Sequence, residues 1–148
     1  MKKYELTNET IVFYDIKLHR IKALKDFGDV KKGDLGGFVE NELNLSHKGN
    51  CWIYNDAKVF NNAEVYDNAR IYDNAEVYDN ASVCGNARVL DNAKVFDNAK
   101  VFDNARIYDN AEVYDNAEVY DNAEVYDNAS VCGNAEIKSY KDIFIFIT

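Results

Sequence analysis

The chain predicts a parallel β-solenoid, an all-β fold in which short strands stack coil upon coil. From Ile53 to Glu136 one six-residue phrase, typically Val-Tyr-Asp-Asn-Ala-Glu, repeats fourteen times with no insertion. An aliphatic residue opens every copy, from Ile53, Val59 and Val65 to Val131, and Ile137 follows the last. An alanine stands four places after each, from Ala57 to Ala135. A period of six fits neither a helix nor a hairpin. Three such phrases close a triangular coil of about eighteen residues, so fourteen copies predict roughly four to five coils.

Each copy reads as a strand and a corner. Alternation along Ala-Glu-Val-Tyr turns Ala and Val toward the axis and Glu and Tyr toward solvent. Asp-Asn then makes the corner: Asn tolerates the left-handed backbone region, and Asp can bond nearby amides. Asn fills the fourth place in thirteen of fourteen copies, with Asp56 the exception. The coil spacing stacks Lys58, Glu76, Lys94 and Glu112 in a column of alternating charge. It stacks Arg70, Arg88 and Arg106 in another that ends at Glu124. Like charges one strand apart repel unless carboxylates flank them, and the neighbouring Asp residues are expected to do so, which makes the Arg column a solvated structural face; anion or partner binding is its alternative reading.

The two ends differ from the array. Thr10–Phe13 and Ile16–Ile21 read as strands joined by a tight turn near Tyr14-Asp15. Gly28, Gly33, Gly36 and Gly37 read as a looped, tightly turned cap, without the order of a phosphate-binding fingerprint. His47-Lys48-Gly49-Asn50-Cys51-Trp52 already echoes the Cys-Gly-Asn-Ala variant of 84–87, with Cys51 in an alanine slot. The expected division is a hairpin and cap over 1–46, a solenoid over 47–138 and a capping strand over 139–148. Ile143, Phe144, Ile145 and Phe146 in that last strand cover the open end of the stack or join two chains.

Charge narrows the partners. Formal charge is −9. Residues 1–50 hold 9 basic and 8 acidic residues, a net of +1, and residues 51–148 hold 8 and 18, a net of −10. An acidic solenoid repels nucleic acid and suits a basic partner surface. Cys51, Cys84 and Cys132 are odd in number and unclustered, which argues against a disulfide framework and against zinc. No apolar run reaches signal-peptide or membrane-span length, so the expected location is cytoplasmic, with no membrane contact and no cofactor.

The second place of the repeat is aromatic in eleven of fourteen copies. Outward aromatics form stiffening ladders or mark an interface. The candidate partner surface comprises Tyr66, Tyr72, Tyr78, Phe96, Phe102, Tyr108, Tyr114, Tyr120 and Tyr126. With them stand Asp103, Asp109, Asp115, Asp121 and Asp127. Turn chemistry accounts for these aspartates without a metal. Residues 67–81 recur letter for letter at 103–117, and 76–87 recur at 124–135. The second shift, forty-eight, is no multiple of eighteen, so growth of the array moves a copy to another face. Such growth suits a generic surface better than a catalytic pocket.

The repeat resembles the hexapeptide-repeat superfamily, which implies a left-handed β-helix; generic parallel crossovers are right-handed. Many of its members are trimeric acyltransferases with a histidine base and an acyl-CoA donor. Here Tyr or Phe stands where that family usually has Gly, and His19 and His47 both lie outside the regular array. Arg20–Val30, Gly33–Glu40, Asn44-Leu45-Ser46-His47 and Gly49-Asn50-Cys51-Trp52 resemble the start of an uncharacterised group of bacterial and phage β-helical proteins often labelled transferases. No catalytic residues come with that resemblance. The leading expectation is a non-enzymatic binding protein, phage-borne and acting in the host cytoplasm. It engages a host protein, with inhibition or nucleic-acid mimicry of a defence enzyme as the special case. A self-assembling structural rod and an acyltransferase-like enzyme are the alternatives.

Overall fold

The computed structural model describes residues 2–139. The expected capping strand, with Ile143, Phe144, Ile145 and Phe146, lies outside the described residues. The chain opens with an antiparallel hairpin of β1 (Tyr4–Phe13) and β2 (Ile16–Ala23). Tyr14 and Asp15 join them at φ 51° and 63°. Positive φ at both central residues is the type I′ pattern, whose twist matches paired strands. A third strand, β3 (Leu35–Val39), runs antiparallel to β2 and parallel to Lys58–Val59. It is the joint between hairpin and solenoid.

From there each hexapeptide contributes a two-residue strand, and each strand pairs in parallel with its equivalent eighteen residues on. Three parallel stacks result, one of them continuous with the hairpin as an eight-stranded sheet and two of five strands. Amides just after each strand donate to the next coil, as in Phe60 N to Val77 O at 3.1 Å and Asn62 N to Asp79 O at 2.9 Å. The Ala and Val rows are buried to the axis: Ala57 through Ala123 and Val59 through Val125 have no solvent exposure beyond 1%. Fifteen inward aliphatics make one continuous core with the alanines.

The solenoid has about six turns, against the four to five that the repeat count predicts. The extra coil comes almost entirely from residues ahead of the repeat array. β3 supplies its first side, Leu45 bridges Val65 on the second, and Trp52–Ile53 forms the third. Gly36 and Gly37, expected in a loop, stand inside β3. A Cβ on Gly36 would lie 2.6 Å from Ile53 O, and one on Gly37 2.4 Å from Ala57 O. Only glycine lets this strand press onto the coil beneath it. Asn44 replaces the missing corner. Its Oδ1 accepts from Glu40 N and Asn41 N, and its Nδ2 donates to Asn61 O and Ala63 O. All four capacities of a fully buried amide are met.

Two basic residues fasten the hairpin. Arg20 lies over the Phe38 ring and donates to Gly36 O, Asn55 O, Glu9 and Asp56. Asp56 is the one residue that breaks the fourth-place Asn rule, and its carboxylate is the reason: it sits 3.1 Å from the Arg20 guanidinium. Lys3 is buried, with its Nζ 2.8 Å from Cys51 O, 3.3 Å from Gly49 O and over the Phe27 ring. Trp52, packed edge-on against Tyr4 and Phe27, fills the space between hairpin and first coil.

Candidate binding surface

The corners build the outer surface. Each is a β-turn closed by an Ala N–H donating to the second-place carbonyl, as in Ala99 N to Phe96 O at 3.2 Å. The left-handed residue is the third-place Asp, not the fourth-place Asn expected from residue preference. Asp73, Asp91 and Asp109 have φ of 58°, 59° and 58°. Asn and Asp both tolerate that region; the first central position of the turn decides which must adopt it. The Asp side chain then has a second task. Its Oδ2 accepts the backbone N–H of the Asp one coil on, at 3.1 Å from Asp73 to Asp91 and 3.0 Å from Asp91 to Asp109. The same bond links Asp79, Asp97 and Asp115 on another corner, and Asp103 to Asp121 on the third. One carboxylate oxygen is tied down and the other is left for the surroundings. The fourth-place asparagines link side chain to side chain, as in Asn62 to Asn80 at 3.2 Å. The result is rigid rows of carboxylate and amide repeating at the strand spacing of about 4.8 Å.

The sequence-predicted aromatics stack as ladders. Phe60, Tyr78, Phe96 and Tyr114 follow one another at 5.0, 5.0 and 4.9 Å with rings within 4° of parallel. Phe102 stacks on Tyr120 at 4.9 Å and Tyr108 on Tyr126 at 5.4 Å. Within these ladders the ring faces are turned on each other, whereas Tyr66, followed one coil on by Cys84, stands exposed outside them. The ladders also divide the candidate residues among three faces. Tyr78, Phe96, Tyr114 and Asp115 share one. Tyr72, Tyr108, Tyr126, Asp109 and Asp127 share a second. Tyr66, Phe102, Tyr120, Asp103 and Asp121 share the third. Position modulo eighteen separates these groups in the sequence itself. Burial and then the Glu124 carboxylate, which accepts from its hydroxyl at 2.8 Å, push Tyr108 up to about 12.

The two charged columns behave differently. Lys58, Glu76, Lys94 and Glu112 pair in register as expected. Glu76 is half-buried with an unpaired Oε1, and burial raises its carboxyl above the usual range against the pull of Lys94 and Lys58. Arg70, Arg88, Arg106 and Glu124 are also in register. The neighbouring Asp side chains make no ion pair with these arginines among the described residues, and Asp29 acts on Arg70 only electrostatically. The Asp carboxylates point along the axis to the next coil's amide instead.

The histidines are placed for structure. His47 stacks on Tyr4 at 4.2 Å. Its Nδ1 accepts the Lys3 N–H and its Nε2 meets Glu42 at 2.8 Å, so neither nitrogen is open to take a substrate proton. His19 Nδ1 meets Thr7 O at 3.1 Å on the hairpin. Among the described residues no group of three or more His, Cys, Asp or Glu is arranged to hold a metal ion. Among the described residues no helix is long and apolar enough to cross a membrane.

This architecture defines the class: a hexapeptide-repeat β-solenoid. Residues 69–84 match the family described as YdcK Beta solenoid repeat. The chain is also similar to a protein of Escherichia coli (strain K12) named Uncharacterized acetyltransferase YdcK. The two are 36% identical over 67 residues, which is 40% of this chain and 21% of that protein. The chain thus spans about a fifth of the length of the curated relative it matches.

Proposed function

We propose that this protein is a non-enzymatic binding module that engages a basic partner protein through its acidic corners. The supporting observation is the tie between each Asp and the next coil's amide, as at Asp91–Asp109. It fixes carboxylates in straight rows and leaves one oxygen of each outward. A rigid row costs little ordering on binding, and its charge steers a basic surface toward it. Inhibition of a nucleic-acid enzyme, by filling its basic cleft, is the special case; a phage-encoded origin would put that enzyme in the host cytoplasm. The test is affinity capture from a bacterial lysate at low and high salt, with wild type and an Asp91→Asn/Asp109→Asn/Asp127→Asn chain side by side. A stoichiometric protein held at low salt, released at high salt and lost with the triple variant supports the reading. Equal capture by both chains, or none by either, overturns it.

A second reading, an acetyltransferase-like activity, is favoured by the printed name of the Escherichia coli relative. The occupied nitrogens of His47 and the uninterrupted coils speak against it. A coenzyme A thermal shift lost in His47→Gln would favour it, and no shift with coenzyme A would remove it.

A further inference from the structure

We propose that the arginine column is a binding site for a short, multiply charged oxyanion of the polyphosphate class. Arg70, Arg88 and Arg106 project from successive strands of one face, in direct register. They line a cleft with the corner amides Asn68, Asn86 and Asn104. Their strands repeat at the spacing of about 4.8 Å, so each arginine feels the next. Arg88 and Arg106 are exposed and form no ion pair among the described residues. Arg70 donates to the Tyr72 hydroxyl at 3.5 Å and forms no ion pair among the described residues.

The corner before the column is also altered at its middle. Asp67 and Asp103 stand three places ahead of Arg70 and Arg106, but Gly85 stands ahead of Arg88. The corner before the central arginine therefore carries one acidic side chain fewer than its neighbours. The two that remain are engaged, Asp67 by the Gly85 N–H and Asp103 by the Asp121 N–H. The chain thus leaves a row of like charges uncompensated within a solenoid of net −10. An anion bridging the row would remove their repulsion and accept paired N–H groups from each planar fork, while the asparagine amides could donate from the side.

Acids bound the row at both ends. Asp29, held by the Tyr54 hydroxyl at 2.7 Å, acts electrostatically on Arg70, and Glu124 continues the column beyond Arg106. Those ends limit the ligand to the span of three coils. They exclude a nucleic-acid strand or a long polyanion, which would have to pass them. A single phosphate reaches too few of the forks. A linear triphosphate, free or carried by a nucleoside, matches both charge and length.

Isothermal titration calorimetry with inorganic triphosphate, inorganic phosphate and a nucleoside triphosphate tests this on the full chain. Wild type should bind triphosphate at one site and phosphate roughly tenfold or more weakly, since each charge-assisted pair is worth about one order of magnitude or more. Arg88→Gln and Arg106→Gln should each weaken triphosphate by roughly tenfold or more, while Lys94→Gln on another face leaves it unchanged. Equal binding of both triphosphates identifies the phosphate chain as the recognised group; tighter binding of the nucleoside form adds a base contact to the same site. Without ligand, Arg88→Gln should melt at or above the wild-type temperature, because it relieves repulsion. No saturable binding of triphosphate, or equal binding by the Arg88→Gln, Arg106→Gln and Lys94→Gln chains, overturns the proposal.

Discussion

Asp91 holds φ at 59° and its carboxylate against the Asp109 N–H at 3.0 Å, and substitutions separate these two roles. Asp91→Asn keeps a side-chain acceptor and tolerates the left-handed region, so stability should change by less than about 0.5 kcal/mol. Asp91→Gly keeps the backbone but loses the bond, at about 1 kcal/mol. Asp91→Ala loses both, at about 2–3 kcal/mol, and urea melts should rank the three in this order. Glu76 has the opposite character. Burial raises its folded pKa, so its ionisation opposes folding. A raised carboxyl favours the folded state while protonated, and that contribution is lost as pH rises through the folded value. Glu76→Gln should therefore melt at or above wild type near pH 7, with the gap closing as pH falls toward the ordinary carboxylate value of about 4.3. A thermal scan at both pH values checks it; a variant that melts well below wild type at pH 7 would contradict the assignment.

Among the elements, β1 depends on one amine. Lys3 Nζ satisfies Cys51 O and Gly49 O in a buried place, and Leu24 N donates to Lys3 O at 2.8 Å. Lys3→Met leaves both carbonyls facing a methyl group and should cost about 1–3 kcal/mol. The loss should be local: hydrogen exchange should quicken in β1 and β2 and stay unchanged in the coils around Val95–Val113. The repeat made the coils legible in the sequence, because period six, inward Val and inward Ala leave one solution. The hairpin turn at Tyr14-Asp15 was legible for the same kind of reason, a short polar break between alternating strands. The first coil was not. Its corner is the side chain of Asn44, and its first strand fits only through the close approach at Gly36 and Gly37, contacts that no local pattern announces. On the surface, the outward direction of the tyrosines could be read, and so could the register of the arginines. The direction of the Asp carboxylates could not, since a bond to the corner eighteen residues on competes with a salt bridge alongside, and only the three-dimensional spacing decides between them.

Taken whole, the molecule is a stack whose cross-section hardly changes along its length. Residues 76–87 and 124–135 are identical, yet their strands lie in different sheets, so one sequence serves different sides. Deleting 85–102 removes one complete coil and joins second-place Cys84 to third-place Asp103, which takes the position of Gly85. The shortened chain should keep its far-ultraviolet β spectrum and a cooperative melt, with a smaller denaturant slope because less surface is buried. Deleting 85–93 joins Cys84 to Lys94, breaks the inward–outward phase and should abolish the cooperative melt. The hydrogen bonds explain a mechanical property as well. Outside the turn closures, nearly every solenoid amide bonds to the coil beside it, not within its own. A load applied along the axis at one terminus would meet the same small set of bonds again and again. The rod would yield as a spool does, paying out one coil per step, each about 60 Å of extended chain at roughly 3.4 Å per residue, with the force nearly constant from the first coil released to the last.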